Sequence, residues 1–212
     1  MARELAPKCK QCRRAAQKLF LKGERCNSSK CAMVKRNYIP GIHGPKFGSR
    51  GVRLTDYGTQ LREKQKAKKS YRLLEKQFRN YYDKAIKQEG ETGETFYKML
   101  ESRLDNVVFR SGFVSSKNLA RQSVNHGHFQ VNGKKVDIPS YQLKVNDKIT
   151  IKKSSLTNKI FEGLGERLKN VDTPNWINID GKELSITIVG APDVKEAGPV
   201  FDLKAIIEYY SR

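Results

Sequence analysis

All four cysteines of this 212-residue chain, Cys9, Cys12, Cys26 and Cys31, fall in its first 31 residues, in a segment that has little else to fold around. Between the two pairs only Leu19, Phe20 and Leu21 offer apolar bulk. That is too little to offset the ordering entropy of the segment, about 1–2 kcal/mol per residue for the backbone alone. Two residues separate Cys9 from Cys12, thirteen separate Cys12 from Cys26, and four separate Cys26 from Cys31. Short-spaced pairs joined by a longer loop are what tetrahedral thiolate coordination requires. The leading MARELAPK has no apolar signal core, and runs such as Leu19-Phe20-Leu21 fall far short of the roughly 20 residues that span a bilayer. A cytosolic chain with no membrane partner is therefore expected, and thiols in a reducing compartment are rarely disulfides. The expected ligand is Zn2+, with an iron–sulfur cluster as the alternative because it takes the same four thiolates. A closed four-cysteine site leaves no open position for a substrate, so its role is structural, worth about 10–16 kcal/mol of apparent binding free energy. Arg13, Arg14, Lys22, Arg25 and Lys30 balance the charge of such a centre. Cys31 is expected to open a short helix over KCAMVKR, capped by Ser28 or Ser29.

The formal net charge is +20 and the pI about 9.9. It is distributed unevenly: residues 1–80 hold 22 Lys/Arg against 5 Asp/Glu, residues 81–212 hold 20 against 17. Charge spread for solubility does not concentrate in this way, because crowded like charge destabilises a compact state unless a partner neutralises it. In the cytosol the abundant polyanion is nucleic acid.

Glycines and prolines preclude regular structure in NYIPGIHGPKFGSRGVRLTDYG, which reads as an extended arm carrying His43, Lys46, Arg50 and Arg53. Thr55 or Asp56 then caps a helix with Arg62, Lys66 and Lys69 on one face and Lys64, Lys68 and Arg72 on another; its apolar stripe is little more than Tyr57 and Leu61. Such a helix is poorly stable alone, which points to phosphates covering it. Leu74, Phe78, Tyr81 or Tyr82, and Ala85 recur at helical spacing and face a core. Helices follow from Thr92, over SRLDNVVFRSGF with Gly112 as its stop, and over SSKNLARQSVNHG with Ser115 as cap. Asn132-Gly133 between alternating apolar residues predicts a hairpin. Further strands are predicted at Tyr141 to Leu143, Lys148 to Ile151, Trp176 to Ile179 and Leu184 to Ile188, a helix over 157–170, and a last short helix over 202–210.

The unit from Arg103 to Ile151, with "HFQVNGKKV" in its hairpin, resembles the small RNA-binding module shared by a ribosomal protein, some tRNA synthetases and pseudouridine synthases. The resemblance implies RNA contact by Arg103, Arg110, Lys117, Asn118, Arg121, Gln122, His126, His128 and Lys134. "LREKQKAKKSYRLLEKQFRNYY", "LESRLDNVVFRSGF", the PGIHG arm, the four cysteines and the terminal "IIEYYSR" extend the likeness over nearly the whole chain to the bacterial small-subunit ribosomal protein four family, in its four-cysteine, zinc-binding branch. It implies a primary assembly protein at a helical junction in the first domain of small-subunit rRNA. It also implies partners in small-subunit proteins five and three, and messenger RNA at the channel through which it enters. The arm is longer than the family's usual pattern, and Asn146-Asp147 stands where the module often has Gly-Asp; Asn also tolerates the left-handed conformation.

The expected fold is α+β. A four-cysteine metal-binding segment and arm span 1–45. A basic helical domain spans 46–95, with 197–212 packing back on it, and an RNA-binding module of short helices on a mainly antiparallel sheet spans 96–196. Arg13, Arg14, Lys22, Arg25, Lys30, Lys35 and Arg36, the arm's His43, Lys46, Arg50 and Arg53, and Arg79 join the candidate rRNA contacts, with RNA rather than DNA as the partner. Two other functions compete. Arg103-Leu104-Asp105 matches the short catalytic motif of pseudouridine synthases, but Asp105 lies at the entrance of the module rather than in a separate catalytic domain, so a non-enzymatic role is expected. A free-standing repressor that binds messenger RNA could use the same surface.

Overall fold

The computed structural model describes residue 4 and residues 6–41, 54–168 and 171–212. They form two units, one running to Gly93 and resuming over Pro199–Arg212, the other Glu94–Gly198. No helix among the described residues is long and apolar enough to cross a membrane.

In the first unit α1 (Lys8–Ala15), α2 (Glu24–Asn27) and α3 (Ala32–Lys35) surround a minimal core of Cys12, Ala15, Leu19 and Leu21, with Met33 against it. Cys31 itself is the N-cap of α3. Ser28 instead accepts from the Lys30 N–H and donates to the Arg25 carbonyl, closing a local turn, so the expected serine cap is corrected. The basic helix α4 (Asp56–Ser70) is capped by Thr55, whose Oγ1 accepts from the Gly58 N–H at 3.2 Å. It ends where Arg72 takes a left-handed φ of 56°, and α5 (Glu75–Ile86) buries Phe78, Tyr82 and Ala85, the predicted stripe. The C-terminal helix α11 (Leu203–Ser211) lies along α4. Thus one face of α4 is covered by protein, not by phosphates as expected from its composition. Tyr57, assigned to the apolar stripe, is 51% exposed.

The second unit begins with α6 (Thr92–Glu101), α7 (Leu104–Arg110) and α8 (Lys117–Asn125) and closes with the short α10 (Val194–Ala197). Gly112, just past the end of α7, has φ +74°, and a Cβ there would collide with the Val171 side chain, so only glycine fits this stop. The cap of α8 is Ser116, one residue beyond the predicted Ser115; its Oγ accepts from the Leu119 N–H. The strands β1 (Phe129–Val131), β2 (Lys134–Lys135), β3 (Lys148–Ile151), β4 (Ile177–Asp180) and β5 (Ser185–Ile188) form one antiparallel sheet in the order β2-β1-β3-β5-β4. The predicted hairpin turn holds Asn132 at φ 49° and Gly133 at φ 77°, the two positive values a tight twisted hairpin needs. Asn146 is also left-handed, at φ 71°.

Period-two alternation places Phe129, Val131, Ile149, Ile151, Ile186 and Ile188 on the sheet's buried face, against Leu104, Val107, Val108, Ala120 and Val124 from α7 and α8. Each fully buried side chain of this size contributes about 1.5–3 kcal/mol. Two predictions fail here. Tyr141 to Leu143 is no strand: it makes one bridge, Arg103 to Gln142, and its backbone satisfies Ser102 and Leu104 at the entrance to α7. The helix over 157–170 is broken into a 3-10 turn at Lys159–Phe161 and a short α9 (Leu164–Leu168), with Gly163 at φ +65° between them, and another 3-10 turn, Lys153–Ser155, precedes it.

Candidate nucleic-acid interface

In α4 the sequence puts cations on nearly every side, and packing against α11 then divides them into two populations. Lys64 is only 4% exposed; its Nζ lies 2.5 Å from Glu75, 4.7 Å from the centre of the Tyr209 ring and 5.5 Å from that of Tyr210. Lys68 reaches the other oxygen of Glu75 at 2.8 Å, and the Tyr210 hydroxyl donates to the same carboxylate. Gln60 donates to Glu208 at 2.9 Å. Lys64 and Lys68, expected at phosphates, therefore engage protein groups, and Arg72 donates to the Glu4 carbonyl. Burial opposes ionisation of Glu75, but the hydrogen bonds from Lys64, Lys68 and Tyr210 prevail and hold its pKa down to about 2.

A folded pKa of about 2 against an ordinary 4.5 gives stability that is fully present above pH 4.5 and is lost as pH falls toward 2. Urea unfolding at neutral pH and near pH 3 should show Glu75→Gln less stable at neutral pH and less sensitive to acid than the parent. Equal acid sensitivity would remove this assignment.

The other population opens outward. Arg14 of α1 meets Arg62, Lys66 and Lys69 of α4 in a groove of about 880 Å³, completed by Gln11, Gln65, Ala15, Leu61 and Ile39–Gly41, with no carboxylate among the described residues that line it. Lys69 is held below its ordinary range first by burial, then by Lys68 and Arg14; Lys8 likewise by burial, then by Arg72 and Lys22. Burial is the larger cause in both, and cations brought close enough to add to it suit a polyanion. Lys66 has a partner, Glu63, at 2.5 Å. Lys30, Lys35, Arg36 and Arg79 are exposed, while Arg13 lies over the Tyr38 ring at 4.5 Å and donates to its carbonyl. His43, Lys46, Arg50 and Arg53 lie outside the described residues.

No cluster of His, Cys, Asp or Glu among the described residues is already drawn up to hold a metal. Yet Cys9, Cys12, Cys26 and Cys31 line one cavity of about 20 Å³, room for a single ion, with Lys8, Lys22 and Arg25 at its wall. All four are free thiols. The Lys22 N–H donates to Cys26 Sγ at 3.3 Å. Burial pushes the Cys12 thiol up; a hydrogen bond from the Leu19 backbone opposes this, and the thiols of Cys26, Cys9 and Cys31 add to it. Four thiols around one small cavity, with backbone N–H groups aimed at sulfur, are the donor set that tetrahedral thiolate coordination takes.

In the second unit the expected RNA contacts divide again. Arg103 is 1% exposed and grips Asp105 with two nitrogens, at 3.1 and 3.0 Å, while Arg121 reaches the same carboxylate at 3.4 Å. Arg110 forms a second fork on the buried Glu101, with both contacts at 3.0 Å. Arg121 thus faces inward, and Lys117 is half-buried. Burial pushes Lys117 down to about 8, with Glu101 opposing and Arg110 adding, and its Nζ lies 5.6 Å from the Phe109 ring centre. Arg103 and Arg121, expected as RNA contacts, are held here against Asp105, whose carboxylate two guanidiniums cover.

Outward, α8 presents Gln122 and His126, with Asn118 half-buried. His128 bonds the Ser155 hydroxyl at 3.0 Å, and its pKa is pushed down by burial and then by His126. Exposed Lys134 and Lys135 stand on β2, and the Lys135 stem crosses Gly127, beside His126 and His128. Lys152 and Lys153, exposed just after β3, were missed as candidates. The Lys152 N–H bonds the His128 carbonyl, and this pairing across the sheet is invisible to a local reading.

Residues 3–101 match the family described as ribosomal protein S4/S9 N-terminal domain, and residues 102–149 match the S4 domain. The chain is 48% identical over 214 residues to the small ribosomal subunit protein uS4 of Desulfitobacterium hafniense (strain Y51). It is 45% identical over 212 residues to that of Acetivibrio thermocellus, and 46% over 213 to that of Thermotoga petrophila. Each alignment covers 100% of both chains. Likeness of that extent, on a fold with both matched domains in order, makes this chain a member of the uS4 family of small ribosomal subunit proteins.

Proposed function

We propose that the chain is a structural, non-enzymatic constituent of the cytoplasmic small ribosomal subunit that binds folded small-subunit rRNA. The observation that carries this is the groove where Arg14, Arg62, Lys66 and Lys69 converge. A-form RNA offers proteins phosphates, 2′-hydroxyls and a shallow minor groove, so charge spacing and shape dominate recognition. The groove neutralises phosphates and releases counterions. Lys134, Lys135, Lys152 and Lys153, with Gln122 and His126, give the second unit its own RNA-facing surface, donors beside cations.

The target is a helical junction of the first rRNA domain, bound early in assembly. In the finished subunit the chain lies beside small-subunit proteins five and three, at the channel that admits messenger RNA. Cys9, Cys12, Cys26 and Cys31 hold Zn2+, which cross-links a segment without an adequate apolar core. Lys22 and Arg25 offset the charge of the thiolates.

Footprinting of the full chain on small-subunit rRNA tests this reading. Protection should centre on a first-domain junction, and Arg62→Ala or Lys134→Ala should weaken binding. Protection confined to messenger RNA, or uridine isomerisation by the protein, would overturn it.

A further inference from the structure

Along the outer strand of the sheet in the second unit runs a hollow that the RNA-facing surfaces leave unused. β4 lies at one end of the order β2-β1-β3-β5-β4, so only β5 pairs with it. Ile188 of β5 donates its N–H to Asp147 and accepts from Asn146, both on the β3 side. Backbone groups alternate in direction along a strand, so Thr187 and Ser185 turn the other way and bond Asn178 and Asp180 of β4. Ile179, between those two, therefore points its N–H and its carbonyl out of the sheet, and neither has a partner among the described residues. The edge opens on a groove of about 1170 Å³, which β4 lines together with Leu164, Glu166 and Leu168 of α9. A second hollow of about 610 Å³ shares Val171 and Thr173 with the first and adds Asp172 and the Glu196 of α10.

Charge sets this edge apart in a chain of net charge +20. Across the two hollows Glu166, Asp172, Asp180 and Glu196 stand against Lys182 and Arg110, and Arg110 already holds Glu101. None of the four carboxylates forms an ion pair with a described cation; Asp180 and Glu196 accept backbone N–H groups. We infer that the β4 edge is a docking site for an extended, lysine- or arginine-bearing segment of another protein, a site that goes beyond the rRNA-binding reading and does not depend on it. An unpaired edge offers the donor and acceptor that a peptide backbone needs. Side chains of the added strand alternate, apolar ones toward Leu164 and Leu168 and basic ones toward the carboxylates. RNA phosphates would meet unneutralised carboxylates here, and a second copy of this chain would bring its own Glu166 and Asp180 against them, so charge disfavours both.

The test uses the free full chain and a blocked peptide of alternating lysine and valine, with an alternating glutamate and valine peptide and oligoadenylate as the other probes. Fluorescence anisotropy reads affinity, and amide exchange followed by NMR reads the Ile179 N–H. The lysine peptide should bind and slow exchange at Ile179, and the glutamate peptide should do neither. Ile179→Pro, which removes the outward donor but no bond to β5, should weaken the lysine peptide about tenfold. Joint Glu166→Lys and Asp172→Lys should weaken it as well; both side chains are exposed, so this variant serves should the proline variant melt early. A lysine peptide that fails to bind the folded parent, leaves Ile179 exchange unchanged, or binds the charge-reversed variant equally well would overturn the proposal. Protection of Ile179 by oligoadenylate, or by the chain alone at raised concentration, would overturn it in favour of RNA or a second copy.

Discussion

Asp105→Ala should lower the unfolding free energy of the second unit by about 3–5 kcal/mol, because it strands two guanidiniums in the interior. Arg103 has almost no exposed surface, and its two contacts to Asp105, with the third from Arg121, are charge-assisted bonds in a water-poor site. Asp105→Asn keeps an acceptor but loses the charge, so it should fall between parent and alanine. Urea denaturation followed by the Trp176 fluorescence of this unit provides the measurement. If Asp105→Ala were as stable as the parent while a uridine-modifying activity disappeared, the carboxylate would be a catalyst rather than a structural counter-ion.

This ion cluster also marks a limit of what could be read from residue order. An arginine in a basic RNA-binding module looks the same on paper whether it faces a phosphate or a buried aspartate. Arg103 finds Asp105 two residues on, and Arg121 finds it from the next helix. The same ambiguity hides the inner face of α4. Its buried positions are Gln60, Lys64, Ala67 and Ser70, a helical stripe written mostly in polar letters. Those residues become interior only because Glu208, Tyr209 and Tyr210 arrive from the far end of the chain.

Local signals were read more successfully. The Asn132-Gly133 turn, the alternation in β1, β3 and β5, the Phe78-Tyr82-Ala85 stripe and the Thr55 cap each follow from a few adjacent residues with one stereochemical solution. The predicted 157–170 helix failed because Gly163 takes a left-handed φ in the middle of it. At the interface the cations were visible but not their orientation. Arg14, Arg62, Lys66 and Lys69 meet only after α1 has packed on α4.

Removing the metal should produce the other large effect. The N-terminal segment has Leu19, Leu21, Ala15 and Met33 as its apolar interior, and the proposed zinc centre supplies about 10–16 kcal/mol that this core cannot. Chelation, or Cys12→Ala, should therefore release amide protection across residues 6–41 while leaving Glu94–Gly198 protected. Metal analysis of the purified chain should find one zinc per chain, or iron with sulfide if the cluster is the occupant. Amide exchange that ignores complete metal stripping would remove the four-thiolate proposal.

Affinity for first-domain rRNA as a function of salt tests most directly whether the positive groove exists for RNA. With about 8 phosphates neutralised, binding by the full chain should weaken by about 10³- to 10⁵-fold between about 50 and 200 mM salt. A slope near zero, or equal affinity for an unrelated RNA of the same length throughout the titration, would contradict the account.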